Sequence, residues 1–125
     1  KTLKSFCNYI VEKKKSNNVK LKQKLINFLN ENYSDAELNI EMIAARFDMN
    51  PVYISRFFKE HMGESMLDYL NKMRVERAKQ FLSDSNENIG DIAVKSGFYN
   101  HGTFIRIFKK YEGVTPKKYK EMLKI

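Results

Sequence analysis

Apolar residues recur at helical spacing along the chain, and short polar segments separate the runs. Residues 40–47 and residues 51–62 are two such runs, with a tight turn between them. Asn50 followed by Pro51 is typical of a helix start, because asparagine caps the first turn and proline needs no N–H there. The spacing predicts an inner face of Ile54, Phe57 and Phe58 and an outer face of Ser55, Arg56 and Lys59.

This pattern occurs twice in the chain. Residues 40–69 read IEMIAARFDMNPVYISRFFKEHMGESMLDY, and residues 89–119 read IGDIAVKSGFYNHGTFIRIFKKYEGVTPKKY. Ile43 and Ala44 recur 49 residues later, whereas five other residues recur 50 residues later: Arg56, Phe58, Lys59, Gly63 and Tyr69. The extra residue is therefore expected in the second turn, between Phe98 and Asn100. A repeat whose only slip lies in a turn indicates two copies of one supersecondary unit.

The rest of the chain completes an all-α prediction. The further helical runs are residues 19–33, residues 66–82 and a short final stretch from Thr115-Pro116 to near Leu123. The polar segment EKKKSNN, residues 12–18, is expected to break the pattern near the start. Since β-type alternation is not sustained anywhere, the predicted fold has two helix-turn-helix subdomains joined by one long linker helix. These subdomains cover about residues 40–62 and about residues 89–111.

Two turn residues are predicted to adopt left-handed backbone conformations. Gly97 suits this conformation in the second turn, because glycine has no Cβ to clash. Its counterpart in the first turn is Asp48, which tolerates the conformation at some cost. Gly63 is predicted to end the helix over residues 51–62.

Basic residues are distributed unevenly along the chain. The net charge of +8 and the pI near 9.5 indicate a polyanionic partner. Residues 1–24 carry a net charge of +7 and residues 89–125 one of +5, whereas residues 25–64 carry −4 and residues 65–88 balance. The basic character therefore lies at the two ends of the chain, and the first repeated unit is locally acidic.

Several protein classes find no support in the sequence. No apolar run is long enough to span a bilayer and no signal-peptide pattern occurs, so a cytoplasmic location without membrane contact is expected. The single cysteine, Cys7, excludes an internal disulfide and a cysteine-clustered zinc site, and a surface or packing role is expected for it. The chain lacks HExxH, a phosphate-binding glycine loop and a nucleophile elbow, so we predict no enzyme activity, metal or cofactor.

The repeated unit resembles the DNA-binding domain of the AraC/XylS family of bacterial transcription regulators. The match covers about residues 21–123. It is carried by Ile43-Ala44, YISRFFKEHMG, Tyr69 with RVERAKQFL, Ile92-Ala93, SGF, FIRIFKKYEGVTP and Tyr119. The run F-x-R-x-F-K-K followed by G-x-T-P-x-x-Y is its most specific part. The resemblance implies that each unit presents its second helix to one face of duplex DNA, in adjacent major grooves.

The resemblance also implies which side chains face the DNA. These positions are Val52, Ser55 and Arg56 in the first unit, and His101, Gly102, Thr103 and Arg106 in the second. Arg56 and Arg106 occupy the same outward position, where an arginine either reads guanine or holds a phosphate. Ile105 stands where many members carry a small polar residue, and it touches either a thymine methyl group or nothing. Candidates for phosphate contacts are Lys59, Lys109, Lys110, Lys117 and Lys118.

Further expectations concern positions outside the two outer faces. Arg74 and Arg77, in the linker helix, are expected to brace the two units through hydrogen bonds. Residues 1–18 are expected to be a connecting segment from a missing upstream part, which the family implies to be sensory or a receiver domain. The family also implies contact with RNA polymerase, since its members regulate transcription.

An alternative function is a helical protein-interaction module whose lysines only aid solubility. DNA binding separates the two readings, because a sequence-specific protein loses affinity steeply with salt yet keeps a preference over competitor DNA.

Overall fold

The structure is a computed structural model that describes the backbone of residues 2–124 and the side chains of residues 15–124. Within this range it contains seven α-helices and no β-strand, which confirms the all-α prediction. The helices are α1 (Thr2–Asn32), α2 (Ile40–Arg46), α3 (Pro51–Met62), α4 (Met66–Asp84), α5 (Ile89–Lys95), α6 (His101–Glu112) and α7 (Pro116–Leu123). Residues up to Asn30 form one compact unit and residues from Glu31 onward form another.

Helix α1 is continuous through the segment where the sequence predicted a break. The prediction of a break at residues 12–18 is wrong because this segment contains neither glycine nor proline, and its lysines and glutamate are good helix formers. Leu25 and Leu29 are buried, at the spacing expected for an apolar face. The expectation for Cys7 lies outside the described side chains, and the domain boundary after residue 18 stays a prediction.

Helix α4 connects the two repeated pairs, α2 with α3 and α5 with α6. Its 19 residues give a length of about 28 Å. It begins at an N-cap, since the hydroxyl of Ser65 accepts a hydrogen bond from the Asp68 N–H at 3.1 Å. It contacts α3 of the first pair, α5 and α6 of the second pair, and α7. The predicted linker helix is thereby confirmed, with its end two residues later than expected.

The repeat seen in the sequence is reproduced in the packing. Phe58 of α3 meets Tyr69 of α4 edge-on, with ring centroids 5.6 Å apart and planes at 77°. Phe108 of α6 meets Tyr119 of α7 in the same way, at 5.5 Å and 74°. Each of these pairs joins the second helix of a unit to the helix that follows it. Both phenylalanines are fully buried, as the inner-face prediction requires.

The two turns differ by one residue, as the repeat predicts. Residues 47–50 connect α2 to α3, and residues 96–100 connect α5 to α6. Asp48 has φ = 53° and Gly97 has φ = 98°, so both adopt the left-handed conformation expected of them. The additional residue of the second turn is Tyr99, whose side chain is 73% exposed.

A buried arginine joins three segments that all lie within residues 31–124. Arg74 of α4 is 6% exposed, and it donates hydrogen bonds from Nε to the Tyr33 carbonyl at 2.7 Å and from Nη2 to the Asp35 carbonyl at 3.0 Å. A Cβ added at Gly97 would lie 2.3 Å from the same Tyr33 oxygen. The segment before α2, the linker helix and the α5–α6 turn therefore meet at the Arg74 guanidinium.

The charge of Arg74 is retained in this setting. Burial lowers the pKa of Arg74 from its usual value, and the nearby charge of Asp35 opposes that shift. Because arginine does not deprotonate in proteins, the guanidinium still donates as a cation. Arg77 behaves differently: it hydrogen-bonds Gln80 at 2.7 Å and lies 4.6 Å from the Phe81 ring centroid. These partners belong to α4 itself, so the bracing role expected of Arg77 is wrong.

We expect Gly97→Ala to destabilise the protein more than Gly113→Ala does. Both glycines have positive φ, 98° and 81°, but a Cβ at Gly113 meets no atom within 4 Å. Gly113→Ala should therefore lower the free energy of unfolding only by the cost of placing an alanine in the left-handed conformation, about 1–2 kcal/mol. Gly97→Ala should lose more, because the turn or the Tyr33 carbonyl must also move. Urea denaturation of the two variants measures the difference, and equal losses would show that the close approach at Gly97 carries no energy.

Candidate nucleic-acid interface

Helix α3 presents the outer face predicted for the first unit. The Asn50 side chain accepts hydrogen bonds from the N–H groups of Val52, at 2.8 Å, and Tyr53, at 3.2 Å, which fixes the start of the helix. Gly63 ends it in the left-handed conformation with φ = 77°. Ile54, Phe57 and Phe58 are buried, and the opposite side carries the exposed Val52, Arg56 and Lys59 and the half-buried Ser55.

Helix α6 repeats this arrangement in the second unit. The Asn100 side chain accepts a hydrogen bond from the Thr103 N–H at 2.8 Å, and Gly113 ends the helix with φ = 81°. The buried residues are Phe104, Ile107 and Phe108. The outer positions are His101, Gly102, Arg106, Lys109 and Lys110, all exposed, together with the half-buried Thr103. Every side chain predicted to face a ligand therefore reaches solvent, on one helix per unit.

Arg56 and Arg106 occupy equivalent places on α3 and α6. Each is exposed on the side opposite the buried phenylalanines. Among the residues that the structure describes, neither has an ion pair or a hydrogen bond through its guanidinium. An unpaired guanidinium presents its full fork of N–H donors, which matches a phosphate or the O6 and N7 acceptors of guanine.

A groove runs beside α3, toward the start of α4. It has a volume of about 580 Å³, and its lining includes four of the predicted residues: Val52, Ser55, Arg56 and Lys59. The remaining lining residues come from the starts of α2, α3 and α4: Ile40, Glu41, Pro51, Ser65, Met66 and Leu67. Glu41 places a negative charge at this surface, in agreement with the acidic balance of the first unit.

A smaller groove lies at the equivalent place in the second unit. It has a volume of about 300 Å³ and is lined by Ile89, His101, Ile105, Thr115, Pro116 and Lys117. Every one of these positions corresponds to a residue of the first groove by the 49- or 50-residue offset of the repeat. Neither groove was predicted from the sequence, although the constant offset indicates that a groove present in one unit has a counterpart in the other.

The charge of the two surfaces differs at the helix that borders each groove. The first turn of α4 contains Asp68, whereas the first turn of α7 contains no acid and carries Lys117 and Lys118. Both lysines are exposed. The surface of the second unit is therefore more favourable for a polyanion, as the regional charges predict.

Two further grooves of about 380 Å³ each have acidic residues in their lining, Glu64 and Glu76 in one and Glu87 and Glu121 in the other. None of the described helices combines the length and the apolar character needed to cross a membrane. Glu112, the acidic residue of α6, pairs with Lys79 of α4 at 2.7 Å. This hydrogen bond is the main reason that the pKa of Lys79 is raised above its usual value.

Comparison with known proteins places residues 43–122 in a family described as a helix-turn-helix domain. The chain is 40% identical over 87 residues to the uncharacterised HTH-type transcriptional regulator YtdP of Bacillus subtilis, covering 70% of this chain and 11% of YtdP. It is 34% identical over 98 residues to the bifunctional transcriptional activator/DNA repair enzyme AdaA of the same organism, covering 78% of this chain and 46% of AdaA. The chain thus spans less than half the length of either relative.

Solved structures share the fold. The C-terminal domain of the two-component response regulator yesN from Fusobacterium nucleatum is 33% identical and superposes with a TM-score of 0.78, over 81% of this chain and 98% of that domain. The DNA-binding domain of AdpA, solved with a target DNA, has a TM-score of 0.75 over 81% of this chain and 90% of that one. At 23% identity the AdpA domain is similar in fold alone.

Proposed function

This chain belongs to the AraC/XylS family of transcription regulators, of which it carries the DNA-binding domain, and we propose that α3 and α6 enter adjacent major grooves of one duplex. The observation that supports this most directly is the duplicated outer surface. Two helices that each begin at an asparagine N-cap present an unpaired arginine at the same position, Arg56 on α3 and Arg106 on α6. Because one chain supplies both helices, binding does not require a symmetric partner.

The proposal assigns roles to the exposed residues of both helices. Arg56 and Arg106 act as the main polar contacts, through a guanine edge or a phosphate. The residues proposed to face bases are Val52, Ser55, His101, Gly102 and Thr103, with Gly102 allowing a close approach rather than making a contact of its own. The lysines proposed to hold phosphates are Lys59, Lys109 and Lys110. All of these side chains are exposed or half-buried, which is what the proposal requires.

The length of the linker helix bears on the shape of the DNA. Helix α4 is about 28 Å long, whereas successive major-groove faces lie about 34 Å apart. Two helices held by this linker therefore need either a bent duplex or oblique docking. Bending costs free energy that depends on the sequence being bent, so it would add to the specificity.

The wider role proposed for the protein follows its relatives. Regulation of transcription in a bacterial cytoplasm would include contact with RNA polymerase and control by an upstream sensory or receiver part. YtdP and AdaA are both named as transcription regulators, and the yesN domain belongs to a response regulator. Binding rather than catalysis is the proposed activity of this chain.

A footprint on a selected site tests the use of both units. We expect one chain to protect two successive major-groove segments on the same face of the duplex, because both outer surfaces are available at once. Hydroxyl-radical footprinting with a stoichiometry measurement provides the result. Protection of a single groove segment, or a requirement for two chains per site, would contradict the proposal.

The salt dependence of binding should depend more on the second unit than on the first. Affinity falls with salt by a slope of roughly −0.9 per phosphate neutralised. Residues 89–125 carry +5 and residues 25–64 carry −4. Per lysine removed, the double change Lys109→Ala and Lys110→Ala should therefore flatten the slope more than Lys59→Ala does. Equal flattening per lysine, measured by titration at several salt concentrations, would mean that the regional charge has no influence.

The two arginines should affect binding without affecting folding. Arg56→Ala and Arg106→Ala are changes at exposed positions, so each should shift stability by less than about 0.5 kcal/mol. If the arginine reads a guanine, each change should cost about 1–3 kcal/mol of specific binding and relax the preference at one base pair. If it holds a phosphate, binding to all sequences should weaken alike.

Phe58→Ala and Phe108→Ala provide the matched controls for this prediction. Both side chains are fully buried, so each change should cost about 3–5 kcal/mol of stability through the cavity left behind. These variants should lose DNA binding only as far as they unfold, measured by circular dichroism beside the binding titration. Wild-type affinity of both arginine variants, or their unfolding, would argue against the proposed interface.

A further inference from the structure

The groove of the second unit differs in chemistry from its counterpart in the first. Its walls combine Ile89 from the start of α5, Ile105 from α6 and Pro116 from the start of α7. His101 lies one turn before Ile105 on the same side of α6, and Lys117 stands at the α7 side of the groove. None of the six lining residues is acidic. The groove is therefore an apolar surface with a cationic side chain beside it.

The first unit carries a polar group at the corresponding place. Ser55 corresponds to Ile105, and Glu41, which lines the first groove, corresponds to Gly90 in the second unit. The second groove thus replaces a hydroxyl by a branched alkyl group and loses a carboxylate. Ile105 is half-buried rather than covered, so its side chain remains accessible from the groove.

Ile105 does not belong to the apolar core of the second unit or to the half-buried apolar residues packed against that core. The buried face of α6 is formed by Phe104, Ile107 and Phe108, and the equivalent position of α3 holds a serine on the same framework. Ile105 is thus an apolar side chain outside the core, and it lies next to residues that are proposed to face bases. A contact with the DNA would explain its presence there.

We propose that Ile105 reads the C5-methyl group of a thymine in the half-site bound by the second unit. This inference rests on the proposed function and deepens it. Thymine is the only base with an apolar group in the major groove, and aliphatic side chains recognise it by contact. The methyl group lies at the edge of the base nearest its own backbone, which suits a residue on the flank of α6 beside Arg106.

The surroundings of Ile105 fit this ligand. A groove of about 300 Å³ is larger than one methyl group, so it also admits the apolar edge of the neighbouring deoxyribose. Lys117 lines the same groove, where its ammonium group would attract a phosphate of the bound strand, and none of the lining residues is an acid that would repel that strand. The contact distinguishes thymine from cytosine, which lacks the methyl group, and from uracil, which differs from thymine in that group alone.

Methyl deletion in the DNA tests the inference without changing the protein. A preferred duplex is first selected from random sequences, and the footprint assigns one half-site to the second unit. Each thymine of that half-site is then replaced in turn by deoxyuridine. We expect one replacement to weaken binding about fourfold, the value that corresponds to one buried methyl group.

The protein side of the test uses variants of the same groove. Ile105→Ser copies the residue found at the equivalent position 55, and it should bind the thymine and deoxyuridine duplexes equally, while Ile105→Val should keep most of the difference. Lys117 lines the same groove, and the change Lys117→Ala should weaken binding to both duplexes alike. If Ile105→Ser proves unstable in thermal denaturation, Ile105→Ala replaces it, and the deoxyuridine result on the wild-type protein stands by itself.

The possible failures are distinguishable. A protein without any sequence preference in the selection would refute the proposed function itself. A selected half-site without thymine, or one in which no deoxyuridine weakens binding, would overturn the role of Ile105 and leave the proposed function intact. A methyl effect that persists unchanged in Ile105→Ser and Ile105→Ala would also overturn it, because another residue would then make the contact.

Discussion

The buried guanidinium of Arg74 joins three separate segments of residues 31–124 at one point. Its two hydrogen bonds go to the Tyr33 and Asp35 carbonyls in the loop before α2, and the Asp35 carbonyl also accepts from the Leu38 N–H at 3.2 Å. The same Tyr33 oxygen lies against Gly97, so the loop, the linker helix and the second turn are held together. A buried cation is stable only when its donors are used. The position of the second unit on α4 therefore follows from hydrogen bonding as well as from apolar packing.

Most of the helical framework follows from local signals in the sequence. Asn50 with Pro51 and Thr115 with Pro116 are typical of helix starts, and each begins a helix where the sequence predicted one. The segment at residues 12–18 was predicted wrongly because polarity was taken as a helix break, whereas only backbone-incompatible residues interrupt a helix strongly. Arg74 was expected to make bracing hydrogen bonds, and it does. Its partners could not be predicted, because a contact between residues about forty positions apart leaves no periodic signal in the sequence.

The candidate interface was predictable in part. The outward direction of Arg56 and Arg106 follows from helical geometry, since the buried phenylalanines fix which side of each helix faces the core. The two grooves were not predicted, because each is bordered by the start of the following helix and depends on how that helix is placed. The edge-on pairs of Phe58 with Tyr69 and of Phe108 with Tyr119 determine that placement. Identical residues in the frame thus create equivalent grooves, and different residues in the lining give them different chemistry.

The confinement of the extra residue to Tyr99 has a consequence for protein engineering. Since the offset between the units is constant on either side of that turn, each framework position in one unit has a defined counterpart in the other. A surface residue found at one position of a unit can therefore be introduced at the equivalent position of the other unit, because the backbone conformation and the neighbouring framework residues are similar. If α3 and α6 each read one half-site, as proposed, transplanting the outer residues of α6 onto α3 should yield a protein that prefers two like half-sites in direct repeat. Comparison of the two units thus identifies which residues to exchange in order to alter the proposed half-site preference.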